Sequence, residues 1–241
     1  MTDPVRLALA PVLLWQGRRL FQTIPRLPEP EGDRHGMMGE GPGLRLLVVG
    51  DSSGAGVGVD TQTEALLGRT VARLAERFRV TYRLEARHGS TIPRTLRHLR
   101  KQDPEPFDVA LLGVGLNDVI AGRALGPWLQ SYSDLADDLR QRFGVGHLVV
   151  SGLPPIGEFP AVPQPLRWVL GRTARRHDRA LREWASTQPE ATFIDFETVP
   201  GDPLHGVPMR EVMATDGFHP GPRIYDEWGR RAAEAIAHAT G

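Results

Sequence analysis

Two short runs of apolar residues constrain the fold of this chain more than any other feature. They are LLVV at residues 46–49 and VALLGV at residues 109–114. Both runs are continuous rather than alternating, which is typical of strands buried on both faces of a parallel sheet. Segments with apolar residues at helical spacing, such as residues 63–78, separate the runs. The pattern therefore predicts an α/β fold.

The same alternation continues along the chain. Strand-like runs occupy residues 44–49, 80–86, 109–114, 147–150 and 191–196, and helical patterns occupy residues 63–78, 92–99, 128–143, 166–184 and 224–239. Strands that alternate with helices predict βαβ units and a parallel sheet. In such sheets ligands bind beyond the carboxyl ends of the strands. Functional residues are therefore expected directly after the strands.

The N-terminal part has a different character. Residues 25–43 are rich in Pro, Gly and charge without an apolar period, which predicts a linker or surface loop. We expect a helix and linker at residues 1–43 and one domain at 44–241. The apolar run at 7–14 is too short to span a bilayer, and a helix packed on the domain is expected. A signal peptide or a membrane-surface contact through residues 5–21 remains open, in a protein expected to be cytoplasmic.

Composition and motif searches exclude several classes of function. The formal net charge is zero, so no global field favours nucleic acid or an anionic membrane. The chain has no Cys, which excludes disulfides, thiolate metal sites and a Cys nucleophile. Val59 stands where a dinucleotide fingerprint that begins at Gly54 would need Gly, and the eight His residues lack metalloprotease spacing. We expect no cofactor and no metal, and the oligomeric state is not predicted.

Polar clusters follow the predicted strands. GDSSG at 50–54 follows the first strand, RHGST at 87–91 the second and GLND at 115–118 the third, while DGFHP at 216–220 precedes the last helix. The carboxyl ends of parallel strands meet at one edge of the sheet. These clusters are therefore expected to lie close together.

Together the clusters contain the parts that acyl transfer needs. Ser52 can act as a nucleophile, and Asp216 is three residues from His219, so the carboxylate can orient the imidazole. The backbone N–H groups of Ser52 and Gly89 and the side-chain amide of Asn117 can stabilise an oxyanion. Each motif alone also fits a turn, a helix cap or a positive-φ glycine. Their combination in this order is far more specific.

Two apolar segments are candidates for the walls of a substrate pocket. Residues 154–165 follow the fourth strand and are rich in proline, and Ile156, Phe159 and Val162 either line an acyl pocket or cap the core. Residues 199–215 are expected to form the opposite wall, with Leu204, Val207 and Met209.

This set of motifs resembles the SGNH, or GDSL, hydrolase family of esterases and lipases. The likeness extends from Leu44 to the C-terminus: GDSSGAG resembles the first block, Gly89 the second, Asn117 the third and DGFH the last. The resemblance implies a flavodoxin-like α/β/α sandwich of three layers with a five-stranded parallel sheet. It also implies a Ser52–His219–Asp216 triad, an oxyanion hole of Ser52, Gly89 and Asn117, and hydrolysis of carboxylic esters or thioesters without a cofactor.

The chain departs from the family pattern in three places. Ser53 stands where the family name has Leu, and the second block lacks its frequent Asn and trailing Gly. Residues 1–43 match no block.

Other interpretations remain beside this one. Residues 50–54 also satisfy the G-x-S-x-G elbow of α/β-hydrolases, but those enzymes usually have several strands before the elbow and a distant Asp and His. The Asp216–His219 spacing therefore favours the SGNH interpretation. A non-catalytic module that binds acylated glycan, or an acyltransferase with an acceptor other than water, could share the same fold.

Overall fold

The computed structural model describes residues 4–197 and 202–240 of the chain. The strands are β1 (His35–Met38), β2 (Gly43–Gly50), β3 (Arg79–Ala86), β4 (Val109–Gly113), β5 (His147–Ser151) and β6 (Ala191–Ile194). The helices are α1 (Pro4–Thr23), α2 (Leu66–Leu74), α3 (Ile92–Leu99), α4 (Leu116–Ile120), α5 (Leu125–Phe143), α6 (Leu166–Thr187) and α7 (Pro222–Thr240). The five predicted strands and five predicted helices are all present.

One mixed sheet of six strands forms the centre of the molecule, in the order β1-β3-β2-β4-β5-β6. The five strands from β2 to β6 are parallel, so the predicted parallel sheet is confirmed. Strand β1 adds an antiparallel edge next to β3, within the stretch predicted to be a linker. Its sequence, HGMM, is mostly exposed and carries no apolar pattern. Backbone pairing, which leaves no pattern in the sequence, therefore defines this strand.

Helices cover both faces of the sheet because successive strand residues point to opposite sides. In β2, Leu47 and Val49 pack with α3, α5 and α6, whereas Leu46 and Val48 pack with α2 and α7. The continuous apolar runs of β2 and β4 therefore supply both cores at once. The result is the three-layer α/β/α arrangement that the family resemblance implied, with β1 as a sixth strand beyond the five implied.

The order of the strands creates a crevice beside β2. The chain passes from β2 to β3 on one side and then returns to β4 on the other side of β2. Gly50 pairs with Ala86 of β3 and with Gly113 of β4, so the three strands end at one level. Such a reversal is where open α/β sheets bind their ligands.

The N-terminal helix α1 packs on the start of α6. Gln16 Nε2 donates a hydrogen bond to the carbonyl oxygen of Gln164 (2.7 Å), and Gln16 Oε1 accepts one from the N–H of Leu166 (3.1 Å). Leu20 is buried in the core between the sheet and α5. No helix in the described part of the chain is long and apolar enough to cross a membrane.

Candidate active site

Ser52 lies in a tight loop that leaves the end of β2. The N–H of Asp51 donates to the carbonyl oxygen of Gly113 (3.2 Å), and the carbonyl of Ser52 accepts from Val57 (3.0 Å). A Cβ on Gly54 would lie 2.6 Å from the Cα of Gly50, so a larger residue at position 54 could not fit without moving the backbone. The glycines of GDSSG therefore allow the chain to double back, which holds Ser52 at the strand end.

Ser52, His219 and Asp216 form one chain of hydrogen bonds. Ser52 Oγ lies 3.0 Å from His219 Nε2, and His219 Nδ1 lies 2.5 Å from Asp216 Oδ2. All three residues are buried. The arrangement leaves His219 Nε2 free to accept the Ser52 proton when Nδ1 holds its proton toward Asp216.

The carboxylate of Asp216 is held in its ionised form. Burial alone would raise the pKa of Asp216, but hydrogen bonds from the His219 ring and from backbone N–H groups outweigh this and lower the pKa below its usual value. Those backbone donors are the N–H groups of Phe218 and His219, each 2.9 Å from Asp216 Oδ1. The turn DGFH therefore orients the carboxylate toward the histidine on the same turn.

Asn117 reaches the same place from α4, the short helix that follows β4. Its Nδ2 donates to the carbonyl oxygen of Ser90 (3.0 Å) and to Asp51 Oδ2 (3.3 Å). Helix α4 begins after Gly115, whose φ of +120° is a conformation that favours glycine. Two side chains of α5 fix this bend: Trp128 Nε1 donates to the carbonyl of Gly115 (3.1 Å), and the Tyr132 hydroxyl donates to that of Val114.

Gly89 lies in the loop after β3, next to Ser90. Its φ is +65°, and a Cβ built on it would meet no atom within 4 Å. Among the described residues, neither Gly89 nor Ser52 uses its backbone N–H in a hydrogen bond. The same loop approaches the histidine, because the rings of His88 and His219 lie 5.7 Å apart. Burial and the nearby His219 lower the pKa of His88.

Two buried aspartates hold the loops of the site together. Asp51 Oδ1 accepts from the N–H of Ser53 (3.0 Å), and Asp118 Oδ2 accepts from the N–H of Ile92 (2.9 Å). Burial raises the pKa of Asp51 to about 6, against the lowering effect of the Ser53 N–H. Burial likewise raises the pKa of Asp118. Their structural role as hydrogen-bond acceptors explains why the sequence has Asp next to Ser52 and next to Asn117.

A cavity of about 650 Å³ opens beside Ser52 and Asn117. Phe159 lines it, whereas Ile156 and Val162 are buried in the core on the side of the sheet that α3, α5 and α6 cover. The opposite wall includes Leu204, Val207 and Met209, as expected from the segment 199–215, of which residues 199–201 lie outside the described residues. Aromatic and aliphatic side chains make up much of the lining, with several charged residues among them. A cavity of this size and character suits an organic ligand.

Helix α7 and the loop before it also contribute to the cavity, which the sequence pattern did not predict. Phe218, Ile224 and Trp228 also line the cavity. Ile224 and Trp228 are four residues apart on α7, so they share one face of the helix. The spacing of Ile224 and Trp228 indicated an apolar face on α7, but it did not indicate that this face borders a cavity and not the core.

The described residues contain no group of three or more His, Asp or Glu side chains that could hold a metal ion. The candidate site brings together a buried hydroxyl, an imidazole, a carboxylate and amide donors. These are the kinds of group that serine-dependent acyl transfer uses.

Comparison with known sequences identifies the family. The sequence model of the GDSL-like Lipase/Acylhydrolase family matches residues 48–227, and the chain belongs to that family. It is 32% identical over 192 residues to the GDSL-like esterase Rv1075c of Mycobacterium tuberculosis. The matched region is 76% of this chain and 58% of that relative, so the chain spans little more than half of the relative's length.

Solved structures show the same fold. The lipase Lip_vut3 from a goat rumen metagenome superposes with a TM-score of 0.60 at 18% identity, over 80% of this chain and 97% of that chain. A member of the lipolytic G-D-S-L family from Veillonella parvula gives a TM-score of 0.60 at 15% identity, over 80% of this chain and 98% of that chain.

Proposed function

We propose that the protein is a serine esterase that hydrolyses carboxylic esters through an acyl-enzyme. The observation that carries the proposal is the hydrogen-bonded chain from Ser52 Oγ to His219 Nε2 (3.0 Å) and from His219 Nδ1 to Asp216 (2.5 Å). Membership of the GDSL-like family and the similarity to an esterase support it.

In the first step His219 Nε2 takes the proton of Ser52 while Oγ attacks the ester carbonyl carbon. The carbonyl oxygen becomes an oxyanion, for which the N–H groups of Ser52 and Gly89 and the amide of Asn117 are the donors at hand. His219 then gives its proton to the alcohol oxygen, the C–O bond breaks and the alcohol leaves. Ser52 keeps the acyl group.

In the second step water completes the cycle. His219 takes a proton from a water molecule, whose oxygen attacks the acyl carbon. The same donors hold the second oxyanion until the bond to Ser52 Oγ breaks, and Ser52 regains its proton from His219. Asp216 stays ionised throughout and stabilises the imidazolium. The apolar walls of the cavity, such as Phe159 and Met209, would hold an apolar part of the ester.

Initial rates on p-nitrophenyl esters, from acetyl to palmitoyl, test the proposal. The wild type is expected to hydrolyse at least one ester, and Ser52→Ala is expected to lose that activity. Ser186→Ala, which removes an exposed hydroxyl on α6, is the matched control and is expected to keep the wild-type rate. Unchanged hydrolysis by Ser52→Ala would reject the proposal. Added alcohols in the same assay show whether an acceptor other than water takes the acyl group.

A further inference from the structure

Helix α1 presents large apolar side chains to solvent. It packs on the domain through Leu13, Gln16 and Leu20, which share one side of the helix. On the outer side Leu14 is 62% exposed, Trp15 58% and Val12 43%. A helix that only covers the core would carry polar residues at these positions. The exposed apolar residues therefore indicate a contact with something outside this chain.

The start of α6 extends this surface. Trp168, in the first turn of α6, is 41% exposed and lies next to the contact between Gln16 and Gln164. Each of the two exposed tryptophans has an arginine stacked on its ring: Arg19 lies over Trp15 and Arg172 lies over Trp168. The exposed residues of this surface, here called the α1–α6 face, are Val12, Leu14, Trp15, Arg18, Arg19, Trp168, Arg172 and Arg176.

The two segments that contain the face carry charge of one sign, and the face itself has four Arg and no Asp or Glu. Residues 4–28 contain four Arg and no Asp or Glu, and residues 159–177 contain four Arg and no Asp or Glu. The whole chain has 29 basic and 29 acidic residues, so its formal net charge is zero. Positive charge is thus concentrated on these two segments although the protein as a whole is neutral.

We propose that the α1–α6 face binds the surface of an anionic lipid bilayer. Trp and Leu side chains on one side of a helix, with Arg beside them, are the residues that enter the headgroup region and contact lipid phosphates. A second copy of this chain fits the face less well. A two-fold interface would bring two copies of this face together, each with four Arg and no Asp or Glu to pair with them.

The segment 159–177, which carries Trp168, Arg172 and Arg176 of the face, also borders the candidate active site. Ala161 donates a backbone hydrogen bond to Gly217 (3.1 Å), in the turn that carries His219. Phe159 and Arg175, at the ends of the second basic segment, line the cavity. Bound to a bilayer, the protein would hold its cavity close to esters in the membrane. This consequence rests on the proposed function, whereas the membrane contact itself does not.

Sedimentation with lipid vesicles tests the contact. The full chain is mixed with vesicles of phosphatidylcholine alone or of phosphatidylcholine with phosphatidylglycerol. We expect binding to the anionic vesicles, weakened by added salt. Leu14→Glu with Trp15→Glu, and separately Arg18→Glu with Arg19→Glu, are each expected to weaken binding by about tenfold or more. Met37→Glu with Met38→Glu is the matched control. These exposed residues lie on β1, at one edge of the sheet, whereas α6 packs on β6 at the other edge.

Each outcome decides the proposal independently of catalysis. Circular dichroism shows that each variant is folded, and Ser52→Ala is expected to bind vesicles as the wild type does even though it hydrolyses no ester. The absence of vesicle binding, equal binding to both vesicle types or equal loss in the β1 control overturns the proposal. A dimer in sedimentation equilibrium that Leu14→Glu with Trp15→Glu dissociates also overturns it, since the face would then bind a second copy.

Discussion

At the scale of single residues, the bond between Asp216 and His219 decides which imidazole nitrogen carries the proton. In Asp216→Asn the side-chain amide can donate to Nδ1, which would leave the proton on Nε2 and direct it toward Ser52. We expect kcat to fall by about 10⁴-fold with little change in KM, as a wrong tautomer does in serine proteases. Steady-state kinetics on a soluble ester measure this. The control is Asp226→Asn, which removes a half-exposed carboxylate on α7, and a fall below tenfold in Asp216→Asn would contradict the assigned role.

Asn117 is expected to act only when negative charge develops on the substrate. Its Nδ2 contacts Asp51 and Ser90 rather than the hydroxyl of Ser52. Asn117→Ala is therefore expected to lower kcat/KM by about 10²–10³-fold, or 3–4 kcal/mol of transition-state stabilisation. The rate of hydrolysis and the unfolding curve should be measured together. A variant that is fully folded and equally active would remove Asn117 from the oxyanion hole.

Asp51 links the site to pH through its burial. The pKa of Asp51 is about 6 in the folded protein, compared with 3.8 for an unperturbed aspartate. Because the folded state holds the proton more tightly, the contribution of Asp51 to stability is complete below pH 3.8 and is lost as the pH rises through 6. The loss amounts to roughly 3 kcal/mol.

Asp51→Asn cannot ionise and should escape this loss. The difference in unfolding free energy, Asp51→Asn minus wild type, is therefore expected to grow between pH 4 and about 6 and to stay constant above that. Urea unfolding at several pH values measures this difference. A difference that does not change with pH would show that Asp51 ionises as easily as an exposed carboxyl group.

At the scale of elements, helix α7 supports the loop that holds the nucleophile. The hydroxyl of Tyr225 lies 3.1 Å from the carbonyl oxygen of Ser53 and 2.7 Å from that of Val57. Tyr225→Phe would leave two carbonyl groups without this donor in a buried place. We expect a loss of about 1–3 kcal/mol in unfolding free energy together with a lower kcat.

A matched variant, Tyr82→Phe, separates the loss of the Tyr225 hydrogen bonds from the general effect of replacing a tyrosine by phenylalanine. Tyr82→Phe removes a hydroxyl that makes no hydrogen bond to another described residue, and its stability is expected to stay within about 0.5 kcal/mol of the wild type. Equal losses in the two variants, measured by denaturant unfolding, would contradict the role of Tyr225.

The elements differ in how far the sequence could predict them. β2 and β4 were predictable because burial on both faces demands apolar residues throughout, and α6 because its buried positions recur at helical spacing. Strand β1 was not, since it pairs through backbone groups at an exposed edge. The five residues of α4 are too few to show a period.

The candidate site likewise has a part that the sequence could predict and a part that it could not. Ser52 and Asn117 directly follow the neighbouring strands β2 and β4, so the topology predicted that they would meet. The turn with His219 lies just before α7 and far beyond the end of β6, so its place was indicated by the motif and not by a strand end. The pocket did not follow in the same way. Residues 154–165 form a loop whose only regular part among the described residues is a three-residue 3-10 helix, Ile156–Glu158, so no period tells which side chain faces the cavity. For that reason the sequence could not show that Phe159 lines the cavity while Ile156 and Val162 fill the core.

At the scale of the whole molecule, the cavity between α6, α7 and the segment 202–213 should set which esters fit. Val207 lines this cavity in the wall opposite Phe159. Val207→Trp is expected to reduce rates on long p-nitrophenyl esters several-fold more than the rate on the acetyl ester, because the added ring fills space. Arg210→Trp places the same ring on an exposed position nearby and is expected to leave the ratio unchanged. An unchanged ratio in Val207→Trp would mean that the acyl chain lies elsewhere.

Covalent labelling with a fluorophosphonate, located by mass spectrometry, tests the central claim most directly. An activated serine attacks the phosphorus and retains the label, whereas an ordinary hydroxyl does not. We predict one label per chain, on Ser52, present in Ser53→Ala, absent in Ser52→Ala and strongly slowed in His219→Ala. A wild-type protein that is folded but takes no label, or a label that persists in Ser52→Ala, would contradict the assignment of Ser52 as the nucleophile.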